Sequence, residues 1–110
     1  MKYQTSKQEG FIILAIQEEI LSSNAQEFGN LIQATIDSGD INIIIDFAGV
    51  RLIDSSGVTI MAKYCRILQE KKGKFILSGC NEITKKVFTM VGFNKFFKIV
   101  ATLKEALLEK

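Results

Sequence analysis

Three isoleucines in succession, Ile43, Ile44 and Ile45, do most to narrow what this chain can fold into. Side chains along a strand alternate between the two faces of its sheet, so consecutive β-branched residues belong to a strand covered on both sides. The run from Ile41 to Phe47 is therefore predicted as the central strand of a sheet with helices packed against it. The rest of the sequence supplies those helices. Ala25, Phe28, Leu31, Ile32, Thr35 and Ile36 recur at helical spacing, which predicts a helix over about 24–38 that Ser22 and Ser23 can cap and Gly39 ends. Val58, Met61, Cys65 and Leu68 are spaced three and four apart and predict a second helix over about 55–72, terminated by Gly73.

The flanking segments complete the order. Tyr3 to Glu9 is polar and weakly alternating, Phe11 to Ile20 begins strongly apolar, and Gly10 lies between them as an edge hairpin requires. Lys74 to Ser78 predicts a strand. Ile83, Val87 and Met90 line a third helix that stops before Gly92, followed by a strand around Phe96 to Val100 and a helix from Leu103 to Glu109 capped by Thr102. The resulting order, β-β-α-β-α-β-α-β-α, defines an α/β fold: a small mixed sheet with parallel neighbours joined by right-handed helical crossovers. In such sheets functional residues collect beyond the carboxyl ends of the strands, and the turn after the central strand leads to Asp54, Ser55, Ser56 and Gly57.

Size and composition limit what this fold can do. With 110 residues, 47% of them hydrophobic, the expectation is one domain spanning residues 1–110. A net charge of +2 gives no reason to expect a dedicated nucleic-acid or acidic-membrane surface. No stretch approaches the ~18 apolar residues of a membrane span, and Met1 to Gly10 carries charges where a signal peptide would be apolar, so a cytoplasmic location is expected. Cys65 and Cys80 stand apart with no histidine in the chain, which leaves no metal site and no Ser-His-Asp triad. Ser-x-x-Lys and nucleophile-elbow spacings are absent, as are the usual glycine-rich phosphate loops, so neither enzymatic activity nor a cofactor is expected.

Asp54 to Gly57 admits two readings. Asp and Ser are favoured at helix starts because their oxygens accept hydrogen bonds from first-turn amides, which is a purely structural role. Alternatively, an exposed serine hydroxyl at a helix start is reachable by a kinase, and a phosphate there sits where the helix dipole tolerates negative charge.

The stretch Ile44-Ile45-Asp46-Phe47-Ala48-Gly49-Val50-Arg51-Leu52-Ile53-Asp54-Ser55-Ser56-Gly57-Val58 resembles the signature of the STAS family, the anti-sigma factor antagonists, whose hallmark is Asp-Ser-Ser/Thr-Gly. Val87 to Phe97 is similar to that family's helix-to-last-strand segment, and the element order agrees over nearly the whole chain. The resemblance implies a STAS-like domain in a partner-switching cycle. The unmodified protein captures an anti-sigma factor that is also a serine kinase and frees a sigma factor, phosphorylation releases the partner, and a serine phosphatase restores the active form. It places the phosphate on Ser55, a supporting hydrogen bond on Ser56, a partner or structural role on Asp54, and on Gly57 a need to avoid crowding the partner or the modified hydroxyl. Two departures stand out: Leu21 lies where many relatives carry aspartate, and Thr59 where they often have glycine.

Around the motif, Ile60 falls outside the buried stripe and is either a capture-surface residue or flank packing. Lys63, Arg66 and Lys71, like Lys85 and Lys86, read as a solvated face, with Lys63 the candidate for contact with the partner; Phe93, Phe96 and Phe97 read as core. The competing assignments are a serine enzyme and a STAS scaffold or ligand-sensing module of a larger sensory or transport assembly that works without phosphorylation.

Overall fold

The structure is a computed structural model that describes residues 1–92 and 97–109. Its elements are β1 (Tyr3–Gln8), β2 (Phe11–Ile16), α1 (Ala25–Asp37), β3 (Asn42–Asp46), α2 (Ser55–Glu70), β4 (Lys74–Ser78), α3 (Glu82–Met90), β5 (Lys98–Val100) and α4 (Leu103–Leu107). They form one sheet in the order β1-β2-β3-β4-β5, antiparallel between β1 and β2 and parallel elsewhere, as the element order predicts. The β1–β2 hairpin turns through Glu9 and Gly10, both at positive φ, the requirement of a two-residue turn that matches strand twist.

The isoleucine run behaves as its pattern requires. Ile43 and Ile45 join the larger core with Phe28 and Ile32 of α1, Met61 and Leu68 of α2, and Phe88 of α3. Ile44 faces the other way, into a second cluster with Phe11, Ile13, Ile76 and Ala106. All three isoleucines are fully buried. Helix α4, only five residues long, thus covers the back of the sheet. Its cap is the expected one, Thr102 accepting from the Glu105 amide.

Three local expectations are corrected. The third helix does not bury Ile83 and Met90, which are 52% and 83% exposed; Thr84 and Phe88 face inward, and Val87 is half-buried. Aromatic packing selects that rotation, since Phe88 meets Phe47 edge-on at 6.0 Å and Phe97 at 5.8 Å between centroids. Phe97 is buried as expected, and it also contacts Phe75; Phe93, Phe96 and the predicted start of the last strand lie outside the described residues.

At the end of α2 the left-handed residue is Lys72, at φ 61°, not Gly73. Gly73 is required for a different reason: a Cβ there would lie 2.1 Å from the Ile41 carbonyl oxygen, at the start of the neighbouring strand. Ser22 and Ser23 do not cap α1. Its N-cap is Asn24, whose side-chain oxygen turns back to accept from the Leu21 amide.

Both cysteines are buried and unbridged, and burial raises their thiol pKa values, Cys80 to about 11. An unfolded thiol ionises near pH ~8.5, so the unfolded chain gives up this proton first as pH rises. The stability that Cys80 contributes is intact below that pH and is lost as pH climbs toward about 11. Thermal melts across pH 8–11 are expected to fall less steeply for Cys80→Ala than for the parent. The rotation of α3 makes a second prediction: in urea titrations Phe88→Ala costs about 3–5 kcal/mol, while Met90→Ser stays within about 0.5 kcal/mol.

Candidate functional site

The site forms beyond the carboxyl ends of β2, β3 and β4, where three connecting segments are tied to one another. Residues 17–24 and 47–54 meet in an isolated parallel bridge between Ile20 and Ile53. The Ile20 amide donates to the Leu52 carbonyl at 3.0 Å, and the Asp54 amide donates to the Ile20 carbonyl at 3.0 Å. From the third segment, Asn81 donates its side-chain amide to the Arg51 carbonyl at 3.1 Å while capping α3 by accepting from the Thr84 amide at 2.8 Å.

Asp54 fills the N-cap of α2 in the extended conformation that position needs. Its Oδ1 accepts from the amides of Ser56 at 2.9 Å and Gly57 at 3.4 Å. Its Oδ2 accepts from the Ser22 amide at 3.0 Å. Both carboxylate oxygens are thus used inside the protein, and the same side chain starts the helix and pins the neighbouring loop.

Ser55 is the first residue of α2 and is exposed. Its hydroxyl makes no hydrogen bond to any described residue, and its carbonyl accepts from the Thr59 hydroxyl at 2.9 Å. Ser56 contributes its backbone N–H to Asp54; the expected side-chain hydrogen bond is not formed among the described residues. Gly57 is buried, and the crowding it avoids is internal. A Cβ there would meet Ile20 Cγ2 at 2.7 Å and Ile53 Cγ1 at 2.8 Å, so the expectation that it makes room for a partner or a modified hydroxyl is corrected.

Ile60 packs half-buried against the core, beside buried Gly29 of α1, which is the flank-packing alternative. Lys63 is exposed, with its ammonium 5.2 Å from the Tyr64 ring centroid. Arg66, Lys71, Lys85 and Lys86 are exposed, as a solvated face would be.

Several residues of the site carried no signal that sequence reasoning could have used. Asn24 donates to Glu18 at 2.7 Å and to the Glu19 carbonyl at 2.8 Å, bracing the first loop. Glu18 also accepts from the Lys2 amide; that bond, and then the one from Asn24, lower its carboxyl pKa. Glu19 pairs with Arg51 across the two loops at 3.0 Å. Each of these bonds depends on residues brought together only by the fold. Among the described residues, no group of acidic, cysteine or histidine side chains could hold a metal ion, and no helix is long and apolar enough to cross a membrane.

A continuous α/β frame of this order, with an Asp-Ser-Ser-Gly helix start at the end of its central strand, is the arrangement of one domain family. The STAS domain model matches residues 2–106, and the chain belongs to that family. It is 26% identical over 106 residues to BtrV of Bordetella bronchiseptica, a candidate anti-sigma factor antagonist by name, covering 96% of this chain and 90% of that protein. Among solved structures, a candidate anti-sigma factor antagonist of Thermotoga maritima superimposes with a TM-score of 0.92 at 22% identity, covering 97% of this chain and 92% of the other. The anti-sigma factor antagonist SpoIIAA of Bacillus has been solved in two forms. The unphosphorylated form gives a TM-score of 0.74 at 21% identity, covering 98% of this chain and 96% of its own, and the phosphorylated form 0.72 at 24%, covering 96% of each.

The two internal roles of the motif can be separated by mutation. Gly57→Ala forces the Ile20–Ile53 contact apart and is expected to cost about 1–3 kcal/mol. Asp54→Ala removes the cap at a cost of about 1–2 kcal/mol, and Asp54→Asn, which keeps an acceptor for the helix amides, costs less. Chemical denaturation of the three variants measures this order.

Proposed function

We propose that this protein is an anti-sigma factor antagonist that works by partner switching in the cytoplasm, with Ser55 as its phosphate acceptor. It acts as a binding module, not as a catalyst. In the unmodified form it captures an anti-sigma factor that is also a serine kinase, and the sigma factor is freed. Phosphorylation of Ser55 releases the partner, and a serine phosphatase resets the cycle. The docking face runs from the Ser55 turn along α2, past the outer edge of Ile60 to Lys63. Asp54, Ser56 and Gly57 build that turn.

The observation that carries this reading is the exposed Ser55 hydroxyl, free of hydrogen bonds to the described residues, at a helix start whose shape is fixed by other groups. The names of BtrV and SpoIIAA, and the existence of SpoIIAA in both unphosphorylated and phosphorylated forms, support it.

A phosphate adds about −1.5 to −2 charges on a surface that is otherwise free to dock. In a closed interface a misplaced charge costs several kcal/mol, and each ~1.4 kcal/mol weakens association tenfold. Incubation of the purified protein with ATP and serine-kinase anti-sigma factors is expected to add one phosphate, located at Ser55 by mass spectrometry, and none to Ser55→Ala. Ser55→Asp is expected to lose capture of the same partner with an unchanged circular dichroism spectrum. A phosphate found only on another residue, or undiminished capture by Ser55→Asp, would reject the reading.

A further inference from the structure

Strand β1 is an edge of the sheet, and its outer side is unpaired among the described residues. Every residue of it is exposed, so both of its faces are open. Which of its backbone groups point outward follows from the register. In an antiparallel pair, residues that exchange hydrogen bonds with the partner strand alternate with residues whose N–H and C=O face away from it. The Gln17 amide donates to the Lys2 carbonyl at 2.9 Å, one step beyond the Tyr3–Ile16 pair. Lys2, Gln4, Ser6 and Gln8 therefore turn their backbone groups toward β2, and Tyr3, Thr5 and Lys7 turn theirs to solvent.

An open edge of this kind is a template for another strand, and this one is complementary to itself. With Thr5 on a two-fold axis, Thr5 lies opposite its own counterpart and Tyr3 lies opposite Lys7, so every outward residue enters a hydrogen-bonded pair. Between them Gln4 meets Ser6, and beyond them Lys2 meets Gln8. Threonine beside threonine and an aromatic ring beside a lysine are stabilising cross-strand neighbours. No like charges face each other, and the Lys7 ammonium is drawn to Asp40 of its own chain at 3.5 Å. An axis at Lys7 would set lysine against lysine. An axis at Tyr3 or Gln4 would carry Lys7 beyond the other copy's β1, and one at Ser6 would carry Tyr3 into the Glu9 turn.

We propose that two copies of this chain pair through β1, antiparallel about Thr5, joining two five-stranded sheets into one. The inference stands apart from the partner-switching reading above. A second copy is the occupant because specificity for a foreign strand comes from pockets for its alternate side chains, and the side chains of β1 are polar apart from Tyr3. The strand that fits this edge residue by residue is β1 itself. An axis through an antiparallel pair runs perpendicular to the sheet, so α1 and α2 of both copies lie on the same side. The carboxyl rims lie at opposite ends, and both Ser55 turns stay open. One strand from each copy makes a small interface, which gives a reversible dimer that forms with concentration.

The test is sedimentation velocity of the purified full chain from micromolar to millimolar concentration, in which a monomer is expected to give way to a dimer. Thr5→Pro removes an outward N–H without touching the β1–β2 ladder, and Thr5→Lys sets like charges against each other on the axis. Each is expected to weaken association roughly tenfold or more. Met90→Ser, at an exposed apolar residue of α3, is expected to associate as the parent does. Cross-linking reads the register. Under oxidised glutathione Thr5→Cys is expected to bond to its own copy, because a hydrogen-bonded pair sets Cα atoms about 5.5 Å apart, within disulfide reach. Tyr3→Cys is expected to cross-link only when mixed with Lys7→Cys. Both native cysteines are buried, so the parent supplies the background. Circular dichroism and thermal melts establish that each variant is folded.

A parent that stays monomeric throughout the series would overturn the proposal. So would a dimer that persists undiminished in folded Thr5→Lys, or one that is lost in Met90→Ser, since either places the contact elsewhere. Self-cross-linking of Tyr3→Cys without that of Thr5→Cys would overturn the Thr5 axis and the proposal with it. Should Thr5→Pro fail to fold, Thr5→Lys decides the outcome.

Discussion

The fold is organised by the need of β3 to be dry on both faces. Its backbone groups are satisfied by β2 on one side and β4 on the other, and its three isoleucines leave no face for water. Helices α1 and α2 cover one face broadly, whereas the other receives only the short α4, with Ala106 against Ile44 and Ile76. Such a helix would not persist alone, since isolated helices of this length are unstable in water. It exists because the exposed back of β3 would otherwise remain wet. With both faces occupied and β1 along one edge, the carboxyl rim of the sheet is where connecting loops can present a surface.

That rim is built as one body. Where a loop would ordinarily leave amides and carbonyls to water, here the segments consume each other's groups: Ile20 with Leu52 and Asp54, Ser22 with the Asp54 side chain, Asn81 with Arg51. Ile20 and Ile53 fill the space under the first turn of α2 so completely that only glycine fits at position 57. A surface held from below by apolar contact and from the side by hydrogen bonds has one shape to offer. Recognition then depends on the groups that decorate it.

The sequence makes some of this legible and hides the rest for a physical reason. Features set by neighbours in the chain could be read directly: the alternation of elements, the doubly covered β3, the Val58–Leu68 stripe, the Thr102 cap, and Asp54 as a helix start. Features set by residues distant in the chain could not. In α3 the triplet Ile83, Val87 and Met90 and the pair Thr84 and Phe88 each have helical spacing, and Phe47 and Phe97 decide between them. Gly73 looked like a helix terminator but answers to Ile41, and Gly57 looked like clearance for a partner but answers to Ile20 and Ile53. Asn24, and not Ser22 or Ser23, holds the N-cap position of α1, and the loop that it braces draws its side chain backward to Leu21. Of the candidate site, the serine at the helix start could be found in the motif, while the link from Asp54 to the Ser22 loop joins residues 32 positions apart and leaves no local pattern.

The occupancy of Asp54 determines what a phosphate on Ser55 can do. Helix N-termini bind anions through unpaired amides, but at α2 the amides of Ser56 and Gly57 already serve the Asp54 carboxylate and that of Val58 serves the Asp54 carbonyl. A phosphate could take those donors only by displacing an internal ligand that also holds the neighbouring loop. Beyond those donors, the helix dipole offers about 0.3–1 kcal/mol at an exposed terminus, opposed by repulsion from one carboxylate of about 1 kcal/mol in water. The two nearly cancel, so the modified side chain has little reason to fold inward and little power to reshape the turn. Such a charge would stay at the surface beside the helix start, where it would be most damaging to a closely packed partner and least consequential for the domain that carries it.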